Sequence, residues 1–409
     1  MEKKRKIIND PVFGFINIPN EFIYEIIKHP YLQRLNRIRQ LGLASFVYPG
    51  AQHTRLHHSI GAMYLMNEAV NQLRLKGHLI TQEESESVIA CILMHDIGHG
   101  PFSHVLENTL VNDIHHEEIS LMMMNRINRE LGNRLDTAIA IFQDRHPKKF
   151  LHQLVSGQLD MDRLDYLRRD SFFTGVIEGN IGSARIIKML NIKNDRLVVE
   201  AKGIYSIENF LMSRRLMYWQ VYLHKTAIAA EKMLINTLKR AKHLAGKQVE
   251  LFASPALRYF LYTPVDRQVF QNDPQALENF ANLDDNDIWC ALKVWTTHPD
   301  IVLSTLSKGI VHRNLFKIEI KQEPFAEQYI NDKILYYAEL FGISGEDAAY
   351  FVSSDEVSTN MYSEADDSIA ILYNDGSTVD IAEASDMLNI QLLSKKIKKY
   401  YFCFLRYSK

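Results

Sequence analysis

Residues 88–94 are apolar without a break and run straight into His95-Asp96-Ile97-Gly98-His99-Gly100-Pro101-Phe102-Ser103-His104. This junction constrains the chain more than any other stretch. An apolar run of that kind reads as a buried helix, so adjacent His and Asp side chains at its end sit where water is scarce. That placement is costly unless something pairs with them. A carboxylate beside a neutral imidazole suits a divalent cation with mixed nitrogen and oxygen ligands, such as Mn, Fe, Zn or, less comfortably, Mg. His99 and His104 then have a role as acid or base beside the ion, and Gly98 and Gly100 let backbone come close. Taken singly, each histidine also reads as a packed core residue at a helix cap. Four such residues within ten positions favour the metal.

With 409 residues the chain exceeds one compact core, so one large domain and one or two smaller ones are expected. The formal charge of −2 argues against a nucleic-acid backbone as the main partner, which calls for a basic face. Cys91, Cys290 and Cys403 are widely spaced and odd in number, leaving neither a disulfide framework nor a CxxC zinc site. A reducing cytoplasm fits that usage. The first residues are charged, and no later run approaches ~20 apolar residues, so neither a signal peptide nor a membrane span is expected.

Residues 7–16 read as two short strands around a turn. A helix is predicted over 21–40, broken at Pro30, with Ile26, Ile27, Leu32, Leu35 and Ile38 as its apolar stripe. Its arginines, Arg34, Arg37 and Arg39, read as a solvated face. Residues 52–61 open a helix to about Gly77, in which Arg55 and His58, three apart, share a face. There His58 suits a metal and Arg55 an anion, although two polar residues near a helix start would look the same. The next helix starts on a capping box at Thr81 and Glu84. Glu107 follows His104 by three, and His115-His116-Glu117-Glu118 begins another helix; a carboxylate near each imidazole would fix its tautomer.

Over 158–170 the spacing places Asp162, then Asp165 or Tyr166, then Arg169 or Asp170 on one helical face. Asp162 is positioned to close a metal site, and Tyr166 and Asp170 to meet a sugar. Residues 191–203 resemble a hairpin. Residues 207–244 are predicted as one long helix on which Arg214, Tyr218, Tyr222 and Lys225 follow a 3.6 period, a cationic and aromatic stripe suited to a base plus phosphates. Strands are expected around 310–321 and 368–373, with Asn374-Asp375-Gly376-Ser377 as a hairpin turn, and Lys395, Lys396, Lys398 and Lys399 at the surface. No P-loop or GxGxxG is present.

The ordered set His58, His95-Asp96, Asp162 resembles the HD-domain metal-dependent phosphohydrolases. Asn9-Asp10-Pro11, Tyr48-Pro49-Gly50-Ala51, the ten residues from His95, and Asp162-Arg163-Leu164-Asp165-Tyr166 are similar to one branch, the deoxynucleoside triphosphate triphosphohydrolases, which includes the sterile-alpha-motif-and-HD-domain enzyme of animals. No segment like the sterile alpha motif precedes the HD region here. The resemblance implies a mainly α fold: an HD-domain helical bundle over 1–245 with small β-hairpins, then a C-terminal α+β region over 246–409 for oligomerisation or regulation. It implies His58, His95, Asp96 and Asp162 as ligands of a divalent ion (Mn, Mg, Fe, Co, Ni or Zn). His99, His104 and His116 would line the reacting phosphate. Arg55, Arg163, Arg214, Tyr222 and Lys225 would hold the triphosphate and base end, and Gln40, Leu41, Tyr166 and Asp170 the deoxyribose.

The implied reaction is hydrolysis of deoxynucleoside triphosphates to deoxynucleoside and tripolyphosphate, by a dimer or tetramer. The alternatives are cleavage of another nucleotide or phosphate ester, or nucleotide sensing at a residual metal site. The animal enzyme's guanine activation does not carry over, because Lys28 and Asn36 stand where it has an acidic residue and an arginine. Tyr218 and Trp219 replace a histidine and an arginine near the base.

Overall fold

The computed structural model describes residues 6–102, 104–107, 109–111, 113–359, 368–386 and 397–406. Helices dominate, and one apolar cluster reaches from Ile16 to Leu405. The first strands, β1 (Ile7–Asp10) and β2 (Gly14–Asn17), pair antiparallel as the sequence predicts. The first helix, α1 (Glu21–Lys28), is capped by the Asn20 side chain. His29 and Pro30 then restart the chain as a short helix, Pro30–Gln33, and a 3-10 turn, Arg34–Arg37, completes the segment. The break at Pro30 is where proline removes a donor and crowds the preceding turn. The predicted helix stops three residues early because Arg39 bridges to Thr54 and Gln40 N–H donates to the His53 carbonyl. Arg34, read as part of a solvated face, is instead 1% exposed.

Three helices form the centre. They are α2 (Arg55–Leu75), α3 (Gln82–Met94) and, after α4 (His104–Glu107) and α5 (His116–Glu130), α6 (Met161–Thr174). On α2, Met63, Met66, Ala69, Val70 and Leu73 are all buried, and the helix packs against both α3 and α6. A helix apolar on several sides belongs at the middle of a bundle. The capping box starts α3: Thr81 Oγ1 accepts from Glu84 N–H at 3.1 Å and Glu84 Oε2 accepts from Thr81 N–H at 2.8 Å. All of residues 88–94 are buried. Gly61 is where α2 presses on α6, since a Cβ there would collide with Asp165 and Arg169. Gly98 plays the same part where the turn after α3 presses on the start of α5.

The hairpin β3 (Leu190–Lys193) and β4 (Arg196–Glu200) recruits β7 (Ala370–Leu372) in parallel, and β7 pairs with β8 (Thr378–Asp380) across the predicted turn. A second sheet orders β5 (Lys317–Lys321), β9 (Ile397–Phe404) and β6 (Val352–Thr359). The strand expected over 310–321 begins only at Lys317, because residues 310 and 311 end the helix Ile301–Val311. Lys398 is exposed, while Lys395 and Lys396 lie outside the described residues.

The predicted helix over 207–244 is two helices, α7 (Ile204–Met217) and α8 (Lys225–Gly246), joined by a π-helical turn, Tyr218–Tyr222. Leu223 N–H donates to the Tyr218 carbonyl at 2.7 Å, the five-residue closure of a π-turn. His224 then caps α8 through its side chain. No helix among the described residues is long and apolar enough to cross a membrane.

Candidate metal centre and nucleotide cavity

The end of α3, the start of α2 and the first turn of α6 bring His95, His58 and Asp162 together. Nε2 of His58 lies 3.4 Å from Nε2 of His95, and Asp162 Oδ1 lies 3.1 and 3.5 Å from those two atoms. Asp96 completes the group: Oδ1 is 3.3 Å from His95 Nε2, and Oδ2 is 3.8 Å from His58 Nε2.

The far side of each ring shows what the cluster can hold. His95 Nδ1 lies 2.6 Å from the Ile92 carbonyl, which only accepts, so Nδ1 carries the proton and Nε2 offers a lone pair. His58 Nδ1 lies 2.8 Å from Asp165 Oδ2, with the same consequence. Two lone pairs and two carboxylates facing one another are satisfied by a cation, and mixed imidazole and carboxylate donors fit a first-row divalent ion. In the protein alone a proton takes that place. Burial disfavours a charged His58, yet its hydrogen bonds to Asp162 and Asp165 push it up to about 10. Burial likewise opposes ionisation of Asp162, but hydrogen bonds from His58 and His95 hold it below the usual carboxylate range.

Asp165 is in turn fixed by Arg169, whose Nη1 donates to Asp10 Oδ2 at 2.7 Å. These supports are fully buried beneath the ligands. The sequence left Asp165 and Arg169 as alternatives to Tyr166 and Asp170. The structure uses both pairs, on adjoining faces of α6.

Beside the ligands opens a cavity of about 650 Å³, lined among others by Gln40, Leu41, Arg55, His99, His116, Arg163, Tyr166, Asp170, Tyr218 and Tyr222. Arg55 Nη1 donates to Asp96 Oδ2 at 2.7 Å. His99 and His116 stack with ring centroids 3.9 Å apart, and His116 Nδ1 lies 3.1 Å from Glu107 Oε1. Burial, with Arg55 nearby, pushes His99 down to about 3, so it is neutral at pH 7. His104 starts α4, and its side chain lies outside the described residues.

At the other end, Asp170 meets His53 Nε2 at 2.7 Å and accepts from Tyr222 Oη at 2.8 Å. The π-turn brings Tyr222 to Asp170 and leaves Lys225 exposed at the start of α8, outside the lining, so the predicted stripe is not continuous. Arg214 also stands outside the lining and donates from Nη1 to Gln158 Oε1 at 3.0 Å. His53 carries no motif signal and was missed, Arg34 was read as solvated, and Arg169 stood only as an alternative on the face of Asp162. The only trace was the four-residue step from Asp165 to Arg169.

The HD domain family matches residues 55–170, and the HD associated region matches residues 181–253. Uncharacterized protein YwfO of Bacillus subtilis is 30% identical over 369 residues, covering 88% of this chain and 81% of that one. A crystal structure of a phosphohydrolase from Bacteroides thetaiotaomicron superposes with a TM-score of 0.96 at 65% identity, covering 98% of this chain and 100% of that one. The chain belongs to the HD-domain metal-dependent phosphohydrolases. Within that class its relatives include the deoxynucleoside triphosphate triphosphohydrolase SAMHD1 of Homo sapiens, 26% identical over 78% of this chain and 55% of the human one.

Proposed function

We infer that this protein hydrolyses deoxynucleoside triphosphates to the deoxynucleoside and tripolyphosphate. The observation that carries the reading is that one face of α6 presents Asp162 to the metal cluster and, one and two turns on, Tyr166 and Asp170 to the same cavity. Residues 162 and 170 are then roughly 12 Å apart along the axis, so a rigid helix sets the separation between phosphate chemistry and sugar recognition.

His58, His95, Asp96 and Asp162 would hold a divalent ion, which would supply Lewis acidity at a phosphate oxygen. Arg55, anchored on Asp96, places a fixed positive charge beside the α-phosphate, and Arg163 does the same further along the chain. Water attacks the α-phosphorus and releases a proton to solvent, and the bond to the 5′ oxygen breaks. His116, held through Nδ1–H by Glu107, acts as the imidazolium: it gives its Nε2 proton to the departing oxygen and is reprotonated from solvent. His99, neutral and 3.3 Å from Asp96 Oδ1, holds that carboxylate in line instead. Asp170, gripped by His53 and Tyr222, accepts from a sugar hydroxyl.

The test is to incubate the pure protein with Mn, Mg, Co or Fe and a panel of deoxynucleoside triphosphates, ribonucleoside triphosphates and monophosphates, and to resolve the products. Tripolyphosphate release is expected. Orthophosphate release would place the chain among hydrolases of other phosphate esters, and tight binding without turnover would make it a sensor. His95→Ala is expected to abolish metal content and turnover together while the circular dichroism spectrum is retained. Full turnover without metal would overturn the mechanism.

A further inference from the structure

A second cavity, of about 320 Å³, opens on the other side of Arg163. Its lining includes Lys149, His152, Gln158, Arg163 and Arg196, with Asp144 as the one carboxylate. Arg163 lines both cavities, so its side chain is the partition between them. It donates to the Gly157 carbonyl and to Asp160, yet its Nε is buried with no hydrogen-bond partner among the described residues. Arg214, reaching the same partition through Gln158, also has a buried Nε with no hydrogen-bond partner among the described residues. A guanidinium presents five donors in a rigid fork and matches phosphate oxygens. Arg163 therefore gives this wall a guanidinium suited to an anion, with Arg214 standing behind it on Gln158. Lys149 and Arg196 extend the positive lining outward; Lys149 is held in place by Asp144, 3.1 Å away, and Arg196 is exposed at the start of β4.

We propose that this cavity is a subsite for inorganic polyphosphate, which receives the phosphate chain after it separates from the nucleoside. This role rests on the hydrolysis proposed above. In that reaction the sugar end is held by Asp170, and the phosphate end lies against Arg163. The polar cavity begins where that end of the substrate stops. Product then leaves past Arg163 without crossing the sugar pocket, while the nucleoside departs from the opposite end.

The experiment uses the full chain and sodium tripolyphosphate, with orthophosphate as a second probe. Binding is measured by calorimetry on protein freed of metal by chelator, since tripolyphosphate itself binds divalent ions. The variant is Lys149→Gln with Arg196→Gln, and the charge-matched control is Lys188→Gln with Lys202→Gln, two exposed lysines outside the cavity. Losing two partly solvated contacts is expected to weaken tripolyphosphate binding roughly tenfold. The control should change it less than twofold, and the nucleotide KM of metal-loaded protein should be unchanged in the variant. Orthophosphate should bind far more weakly than tripolyphosphate to the unaltered protein. Unchanged tripolyphosphate affinity in the variant, an equal loss in the control, or a parallel rise in nucleotide KM would each overturn the subsite. Binding is read without turnover, so absence of nucleotide hydrolysis would sink the proposed reaction and the product role while leaving the anion site to be decided by calorimetry alone.

Discussion

Asp165 touches no substrate, yet it decides which nitrogen of His58 faces the metal. It accepts from His58 Nδ1 at 2.8 Å and from Arg169, and all three side chains are fully buried. Asp165→Asn preserves shape but removes the charge that fixes the imidazole. Metal affinity is expected to fall about 10- to 100-fold, as when carboxylates behind metal-bound histidines are lost. Competition against a fluorescent chelator checks this, and unchanged affinity would show that His58 orients without help. Arg169 keeps Asp10, so the variant should remain folded, with a lowered melting temperature. The sequence showed these residues without separating their jobs. Residues 162, 166 and 170 step by four, as do 165 and 169, and the two rows lie only about 80° apart around a helix. Periodicity sees one broad polar face. Which row meets the cavity and which meets the Nδ1 side of His58 depends on how α2 lies across α6, a tertiary fact absent from local pattern.

Gly61 sets that crossing. A Cβ at this position would overlap the Asp165 carboxylate and the Arg169 guanidinium, groups already locked in a buried network. Gly61→Ala is expected to destabilise the protein by about 1–3 kcal/mol through overpacking, and to lower metal affinity as α2 and α6 separate. Gly246→Ala, at the end of α8 with open space around it, is the control and should be neutral or stabilising by up to about 1 kcal/mol. Urea unfolding read beside metal binding distinguishes the two effects; a Gly61→Ala protein of unchanged stability would mean that the helices yield without cost. The same scale explains the main error in reading the elements. Residues 207–244 hold an unbroken helical period, but one five-residue closure at Tyr218 rotates everything after it. A π-turn changes no composition and inserts no glycine or proline, so it is invisible to periodicity, although it delivers Tyr222 to Asp170. By contrast, the capping box before α3, the hairpin of β3 and β4 and the break at Pro30 all follow from local chemistry and were legible.

Across the whole molecule, the segment 34–39 ties the metal-bearing turn to the C-terminal half. Arg34 donates to the carbonyls of Ile97 and His99 on one side and of Phe280, Ala281 and Leu283 on the other. Arg34→Lys, with three donors for five acceptors, is expected to lower stability by about 1–3 kcal/mol for each carbonyl left bare and to reduce kcat more than KM, since the turn carrying His99 loses its anchor. An unchanged kcat would refute that link. Arg37 pairs with Asp284 at 2.5 Å, and Arg39 N–H donates to Asp285 Oδ2 at 3.0 Å, so the helix Asp285–Trp295 fixes the strip leading to Gln40 and Leu41. Asp285 makes this junction sensitive to pH. Burial pushes its carboxyl up to about 6, against about 4 in an unfolded chain. Below pH 4 it is protonated in both states and contributes no difference. Between 4 and 6 the folded state binds more protons, so stability falls as pH rises. Above 6 the full penalty of an ionised buried carboxylate applies, on the order of 3 kcal/mol at most. Asp285→Asn retains an oxygen for Arg39 N–H and has no charge to bury. The variant is therefore expected to be more stable than the parent at pH 7.5 and equal to it at about pH 3, read as the difference between urea midpoints at each pH. A gap of the same size at both pH values would mean that the junction responds to shape rather than to charge.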